Sequence, residues 1–444
     1  MMKQFSTRRV AIWLLALVAM GIAVACSDSE PTPTTAPTEV PTATPTTAPT
    51  EVPTATPTTT PTEVPTATPI TSNPRGCLTD FQPGVDYFPD KVEAVYAEGW
   101  GVRYQGHYKI LTVEPVPNVQ NARQVTYVLV QCGAPTPDLS GDLAGAHVIP
   151  IPAGSFWTAS GSGWFVALET LGLYDTVLGA NVRATGLDYL PNINRRFEDG
   201  LAIPARASNS FEPILDAAPE LFHVAFSYDL TDQARELGLN AVAYNSYWEP
   251  PLGSAEEIKF VSLFFNAEAR ANEVLEPVIV KYEALRQHVA DSATEAPTVL
   301  FGAINKAGLW ATKPANRIDI RLIEDAGGIP ILQHEITDVP LTSPLPLERV
   351  IDLGADADIW IDTTYFADTR LGDTVAGSLA YQPLNDSFKA LSEGQAIHQF
   401  ARGADIFATG QSFRVDVLLR DLVSAFHPEL LPEHEFVWHT RLEP

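Results

Sequence analysis

From Trp100 onward the chain switches repeatedly between two apolar spacings. Alternation in Trp100-Gly101-Val102-Arg103-Tyr104, a turn at Gln105-Gly106, and the runs Tyr108 to Val113 and Val125 to Val130 predict a hairpin with a third strand. Strand-like runs then alternate with helical periodicity. Strands are expected at Phe156 to Ser160, Thr176 to Gly179, Leu221 to Phe226 and Ala241 to Tyr244, with helices from Trp164 to Leu171 and Thr231 to Leu237. Such alternation predicts a parallel sheet with helices on its faces. Ligands of these sheets bind beyond the carboxyl ends of the strands.

The longest periodic stretch runs from Ser254 to Asp291. Ser254-Ala255-Glu256-Glu257, following Pro250-Pro251, has the spacing of a capping box and predicts a helix to Phe265. Asn266 is then expected to cap a second helix of roughly 24 residues, about 36 Å long. Its apolar positions Ala271, Val274, Val278, Tyr282, Leu285 and Val289 recur at spacings of three and four, and Pro277 is expected to kink it. It reads either as an ordinary core helix or as a rigid strut between two lobes. The second half decides for the strut. Thr298 to Phe301, Arg317 to Ala326 closing on Gly327-Gly328, Ile359 to Asp362 and Phe413 to Phe426 repeat the strand and helix pattern, and Phe211 to Phe222 is echoed by Leu347 to Trp360. The fold class expected is α/β, with two Rossmann-like lobes, each on a mostly parallel sheet, joined by one long helix. Small ligands favour the cleft between such lobes.

The N-terminus adds an address. Lys3, Arg8 and Arg9 precede an apolar run from Val10 to Ala25, and Ala23-Val24-Ala25-Cys26 resembles the lipobox of bacterial lipoproteins, which implies acylation of Cys26. The alternative is a plain secretory peptide cut after Ala25. From Ser27 to about Pro74 the chain is mostly Pro, Thr and Ala in repeats with no apolar face to bury, so it reads as an extended tether. The boundaries expected are signal 1–25, linker 26–76, first lobe with its initial hairpin 77–253, helical region 254–291 and second lobe 292–444. Cys77 and Cys132, the two cysteines left in an exported body, are expected to pair.

The formal net charge of −26 argues against nucleic acid, whose binding needs neutralised phosphates. Nor does a catalytic motif emerge. Ser160-Gly161-Ser162-Gly163 lacks the flanking glycines of a nucleophile elbow and the third glycine of a dinucleotide fingerprint. His427, His434 and His439 are interrupted by Pro428 and Pro432 and read as surface residues. No catalytic residue, resident cofactor or metal site is expected. A secreted hydrolase-like α/β enzyme and a tethered adhesin are the competing classes; the adhesin explains the linker and leaves the duplication unexplained.

The order of several segments resembles the helix-linked, class III solute-binding proteins of ABC importers, which capture ferric siderophores, haem or cobalamin. They are Asp86 to Lys91, Leu168 to Gly172, Ala255 to Phe260 with Leu263 to Asn266, Leu322 to Gly328, Ala355 to Trp360, and Asp421 to Leu431. The resemblance covers about Asp86 to the C-terminus. It implies a lipid-anchored monomer on the outer face of the bacterial cytoplasmic membrane, touching the membrane through its lipid alone. Its partners would be a small-molecule ligand and an ABC permease with its ATPase. It also implies that Glu212 and Glu348, one per lobe, meet arginines of the permease; the plain alternative for each is a solvated acid favoured at a helix start. Beyond the strand ends lie the expected ligand contacts: Ser160, Ser162, Trp164, Tyr228, Tyr247, Trp248, Lys306, Trp310, Tyr365 and Arg414. The aromatics offer stacking area and the cations offer partners for carboxylate or catecholate oxygens. A ferric siderophore fits that set first, with haem or a corrinoid as the alternative.

Overall fold

The computed structural model describes residues 70–116, 119–159, 163–181, 187, 189–205, 210–225, 227–305, 307–336, 343–364, 374–400 and 413–444. Ser160, Ser162, Lys306 and Tyr365 lie outside the described residues, as do the signal, Cys26 and nearly all of the Pro/Thr repeat.

The first element is a four-stranded sheet of β1 (Trp100–Gln105), β2 (Tyr108–Val113), β3 (Val125–Gln131) and β4 (His147–Ile151), in that order. The hairpin and third strand fall at the expected residues; β4, parallel to β3, is an addition. Cys77 and Cys132 are joined by a disulfide with Cα atoms 4.6 Å apart, which closes the segment before β1 onto the end of β3.

The first lobe is built on β5 (Phe156–Thr158), β6 (Val177–Ala180), β7 (Ile203–Pro204), β8 (Leu221–Val224) and β9 (Ala241–Ala243), all parallel, in the order β7-β6-β5-β8-β9. Its helices are α1 (Gly163–Leu171), α2 (Pro191–Glu198), α3 (Glu212–Ala217) and α4 (Tyr228–Glu236). After β9 come α5 (Pro251–Ala255), α6 (Glu257–Ser262) and the strut α7 (Glu268–Ser292).

The second lobe holds β10 (Thr298–Ile304), β11 (Trp310–Thr312), β12 (Ile329–Pro330), β13 (Ser343–Leu345), β14 (Ile359–Asp362), β15 (Ala396–His398) and β16 (Thr440–Arg441), in the order β13-β11-β10-β14-β15-β16, with β12 also on β10. Its helices are α8 (Ile318–Asp325), α9 (Leu347–Gly354), α10 (Val375–Tyr381), α11 (Lys389–Ser392) and α12 (Val415–Phe426). Parallel pairing of β12, β10, β14 and β15 repeats that of β6, β5, β8 and β9. The duplication read in the sequence is therefore a duplication of topology. α3 leads into β8 as α9 leads into β14.

Strand alternation sorts the cores, because successive side chains face opposite sides of a sheet. Phe156, Leu221, Val299, Phe301, Ile359 and Ile361 face one continuous core that includes α5, α6 and one face of α7. Trp157 and Phe222, and likewise Leu300 and Trp360, face separate outer cores.

The segment read as a capped helix from Ser254 differs from expectation. Pro251 opens α5 at the first helical position, where its missing N–H costs nothing, and Ser254 is buried inside the helix. Every residue from Pro251 to Glu268 is buried, so this joint shows no wet face to set a period. Nor is Asn266 a cap. It adopts φ 52°, and its side-chain amide donates to the Pro74 carbonyl and Gln131 Oε1, both at 2.7 Å. The strut runs unbroken through Pro277 as a single 25-residue helix. It buries Ala271, Leu275, Val278, Tyr282 and Val289, while Val274 and Leu285 lie at the margin.

The strut is fastened at both ends. At its start the Lys109 ammonium pairs with Glu268 and donates to the Leu263 carbonyl (2.7 Å) and Asn266 Oδ1 (2.8 Å). Further along, Tyr282 donates to Asp325 at the end of α8, and α7 packs along α12. Among the described residues no helix is long and apolar enough to cross a membrane.

The C-terminal histidines are not surface residues. Asp421 on α12 accepts from His434 Nε2 (2.7 Å) and from the amides of Val437, Trp438 and His439 (3.0, 2.7 and 3.0 Å), folding the last residues back onto the lobe. His427 and His439 are enclosed.

Candidate functional site

In both sheets the strand order reverses at the first strand, between β6 and β8 around β5 and between β12 and β14 around β10. Chain leaving the carboxyl ends on either side of such a reversal diverges and leaves a crevice. The residues following β5, β10 and β14 are those at Ser160, Lys306 and Tyr365, beyond the described set. The described residues supply the floor and the seam.

The floor of the first lobe is a closed polar pair. His223 at the end of β8 lies with Nε2 3.0 Å from the Tyr244 carbonyl, which can only accept, so Nε2 carries the proton and Nδ1 accepts from the Thr158 hydroxyl at 3.0 Å. Burial holds its pKa down at about 4, so the ring is neutral. Trp164 stacks on this imidazole, centroids 4.4 Å apart, and on Phe156 at 5.2 Å. The ring expected to meet a ligand is thus a core side chain, 1% exposed. Tyr228 is likewise enclosed: its hydroxyl accepts from the Val116 amide, and the Arg123 guanidinium lies 5.5 Å over its ring.

The second lobe has a comparable floor. Asp362 at the end of β14 is fully buried; its Oδ1 accepts from the Thr364 amide (2.8 Å) and hydroxyl (2.6 Å). Burial pushes this carboxyl above its ordinary pKa, and His398 opposes the shift. His398 Nε2 donates to the Thr364 carbonyl at 2.7 Å, as His223 does to Tyr244. Trp310 is fully buried against Trp360 and Phe388, with its indole N–H on the Phe301 carbonyl. It too is core. Arg414 precedes α12 and pairs with Asp416 at 2.8 Å.

Tyr247 and Trp248 stand apart from these. They form a single turn after β9, and the Arg317 guanidinium from the start of α8 in the other lobe lies 5.0 Å from one ring and 4.9 Å from the other. Close by, Lys313 pairs with Asp319 at 2.9 Å, and Arg321 reaches Glu98 at 3.6 Å. Sequence reasoning placed both aromatics beyond a strand end and passed over Arg317. The available signal was a cation at the first turn of a helix that follows directly on a strand of the second lobe.

Glu212 and Glu348 are exposed in the first turns of α3 and α9. A crossover helix starts on the carboxyl-edge side of the strand before it, so both acids occupy that side of their own sheets. Among the described residues no three His, Cys, Asp or Glu side chains converge as a metal site.

No family model matches the chain. It is 24% identical over 251 residues to an uncharacterized lipoprotein of Methanocaldococcus jannaschii, covering 54% of this chain and 56% of that protein, so it spans about half the length of that relative. Among solved structures, a periplasmic binding protein of Veillonella parvula superposes with a TM-score of 0.52 at 15% identity, covering 69% of this chain and 96% of that one. A periplasmic heme binding protein of Pseudomonas aeruginosa gives a TM-score of 0.49 at 14% identity over 66% of this chain and 99% of that one. The fold is that of the class III solute-binding proteins.

Proposed function

We propose that this chain is the substrate-binding component of an ABC importer, tethered outside the cytoplasmic membrane by a lipid on Cys26. It captures a metal chelate between its lobes and hands it on unchanged. The observation that carries the reading is the repeated strand order in two sheets joined by one helix fastened to both lobes. A single helix bends less than paired strands, so capture proceeds with modest lobe motion. A ferric siderophore is the first choice of cargo, with haem or a corrinoid as the alternative. The loaded monomer presents Glu212 and Glu348 to permease arginines.

Titration of tryptophan fluorescence with ferric siderophores, haem and cobalamin tests this directly. Saturable binding of one class, without its chemical alteration, is the expected result. Silence toward all three together with turnover of an ester or peptide would instead support an enzyme.

A further inference from the structure

A cavity of about 820 Å³ opens on the second lobe at the end of its sheet away from the crevice. Pro297 precedes β10, Ile359 opens β14 and Gln395 precedes β15, so the cavity sits at the amino ends of these parallel strands. Its size falls in the range of small-molecule sites, roughly 300 to 1,000 Å³. Neither Glu348 nor any residue following β10 or β14 lines it.

The chemistry of the wall is one-sided. Glu295, Asp358, Glu393 and Glu429 line it against one guanidinium, Arg441, whose Nη1 is already taken by the Gly394 carbonyl (2.8 Å) and Gln395 Oε1 (2.7 Å). Asp358 is occupied by Thr298, and Glu393 lies 3.4 Å from Lys389. Glu295 and Glu429 are exposed. The strut ends at Ser292 and α12 at Phe426, each bringing the negative end of its dipole to this side. Pro297 and Pro428 add carbonyls without N–H groups. His427 is a separate sign of a missing donor. It lines the cavity and is 3% exposed, yet its Nε2 has no hydrogen-bond partner among the described residues. Its Nδ1 lies 3.9 Å from Glu429, which favours the proton on Nδ1 and leaves Nε2 as a bare acceptor. A buried acceptor without a donor costs free energy, and this wall offers chiefly further acceptors.

We infer that the cavity binds an aliphatic ammonium group, from a free polyamine or a lysine side chain. An ammonium has three donors and no acceptor, so it satisfies His427 Nε2 and the carboxylates of Glu295 and Glu429 together. Ala425, Phe426 and Pro428 give its methylene stem an apolar wall. A metal ion is a poorer match, because among the described residues no three His, Cys, Asp or Glu side chains converge to hold one. The site lies at the opposite pole from the cargo crevice, and its occupancy is independent of what the crevice carries.

Calorimetric titration of the full-length protein tests it, with spermidine, N-acetyl-lysine amide and neutral 1,5-pentanediol as probes. Salt near 0.15 M, where the Debye length is about 8 Å, suppresses general attraction of a cation to an acidic chain. One-to-one binding of at least one amine and none of the diol is expected, and the tighter amine identifies the source of the ammonium. Glu295→Gln combined with Glu429→Gln should weaken binding by roughly tenfold or more, the worth of a charge-assisted hydrogen bond. His427→Phe should also weaken it, having no lone pair to offer. Glu236→Gln combined with Glu276→Gln, which removes two exposed acids on α4 and the strut, should leave affinity within about twofold. Thermal melts establish that each variant is folded; should His427→Phe not fold, the exposed pair Glu295 and Glu429 carries the test. Equal losses in the two paired variants, unchanged affinity in the folded Glu295 and Glu429 variant, or no binding of either amine overturns the site.

Discussion

Lys109 and Glu268 form an ion pair in which neither side chain reaches solvent, one on β2 and the other at the first residue of the strut. Burial alone would lower the lysine pKa, and Glu268 works against that shift. Breaking such a pair strands a charge, so Lys109→Met or Glu268→Gln should each cost about 3 to 5 kcal/mol. The double replacement should cost less than either single change. Urea unfolding of the three variants reads this out, and additive losses would mean the two groups act separately.

Asp421 is the second site where charge should govern stability. Its five contacts from the C-terminal segment hold its pKa at about 2, below the ordinary 3.8. A depressed carboxylate stabilises above its unfolded pKa and loses that contribution as pH falls through the folded value. Asp421→Asn should therefore be less stable than wild type at pH 6 by about 2 kcal/mol, with the gap closing between pH 4 and 2. A gap independent of pH would assign the loss to shape alone.

Glu257 has the opposite sign. It is enclosed in α6 with the Ser246 hydroxyl 3.0 Å away, and burial raises its pKa to about 7 from 4.5. Stability tied to its neutral form is complete below pH 4.5 and is lost as pH rises through 7. Glu257→Gln should thus gain up to about 3 kcal/mol at pH 8 and little at pH 5. Chemical denaturation at the two pH values decides it; equal effects would place the ionised form in a better solvated setting than its burial implies.

Trp164→Ala should lower stability by about 3 to 5 kcal/mol, because the ring fills the space between Phe156, His223 and Phe264. A variant with wild-type melting and weakened cargo binding would return this ring to the cleft.

Charge reversal at both Glu212 and Glu348 should abolish uptake in a reconstituted transporter while cargo affinity stays within about twofold, since exposed helix-start acids contribute little to the fold. Uptake that persists would retire these acids as docking points.

How much of this was legible varies with how each segment is solvated. β1 to β3 and β14 read cleanly because turns and alternation bound them. The joint from Pro251 to Glu268 did not, since full burial removes periodicity and leaves its acids looking like surface residues. Glu256 accepts from the amides of Val95, Tyr96 and Ala97, partners far away in sequence, and from Lys259 one turn further along the chain. Ser254 had the right spacing for a cap, yet Pro251 had already started the helix. Trp164 and Trp310 followed or preceded strand ends and so looked like cleft residues; alternation about the strands, which assigns faces, was the information that position alone lacked. Arg317 was missed because its meaning depends on two rings from the other lobe.

The flank through which the chain enters its folded body is held by several contacts that are long-range in sequence. Asn73 is held by Asp90 and by Glu268 at 2.9 Å, the Pro74 carbonyl by Asn266, and Cys77 by Cys132. Tension applied from the N-terminal side is therefore borne by the root of the strut and by β3, upstream of either crevice. The far lobe is spared that load.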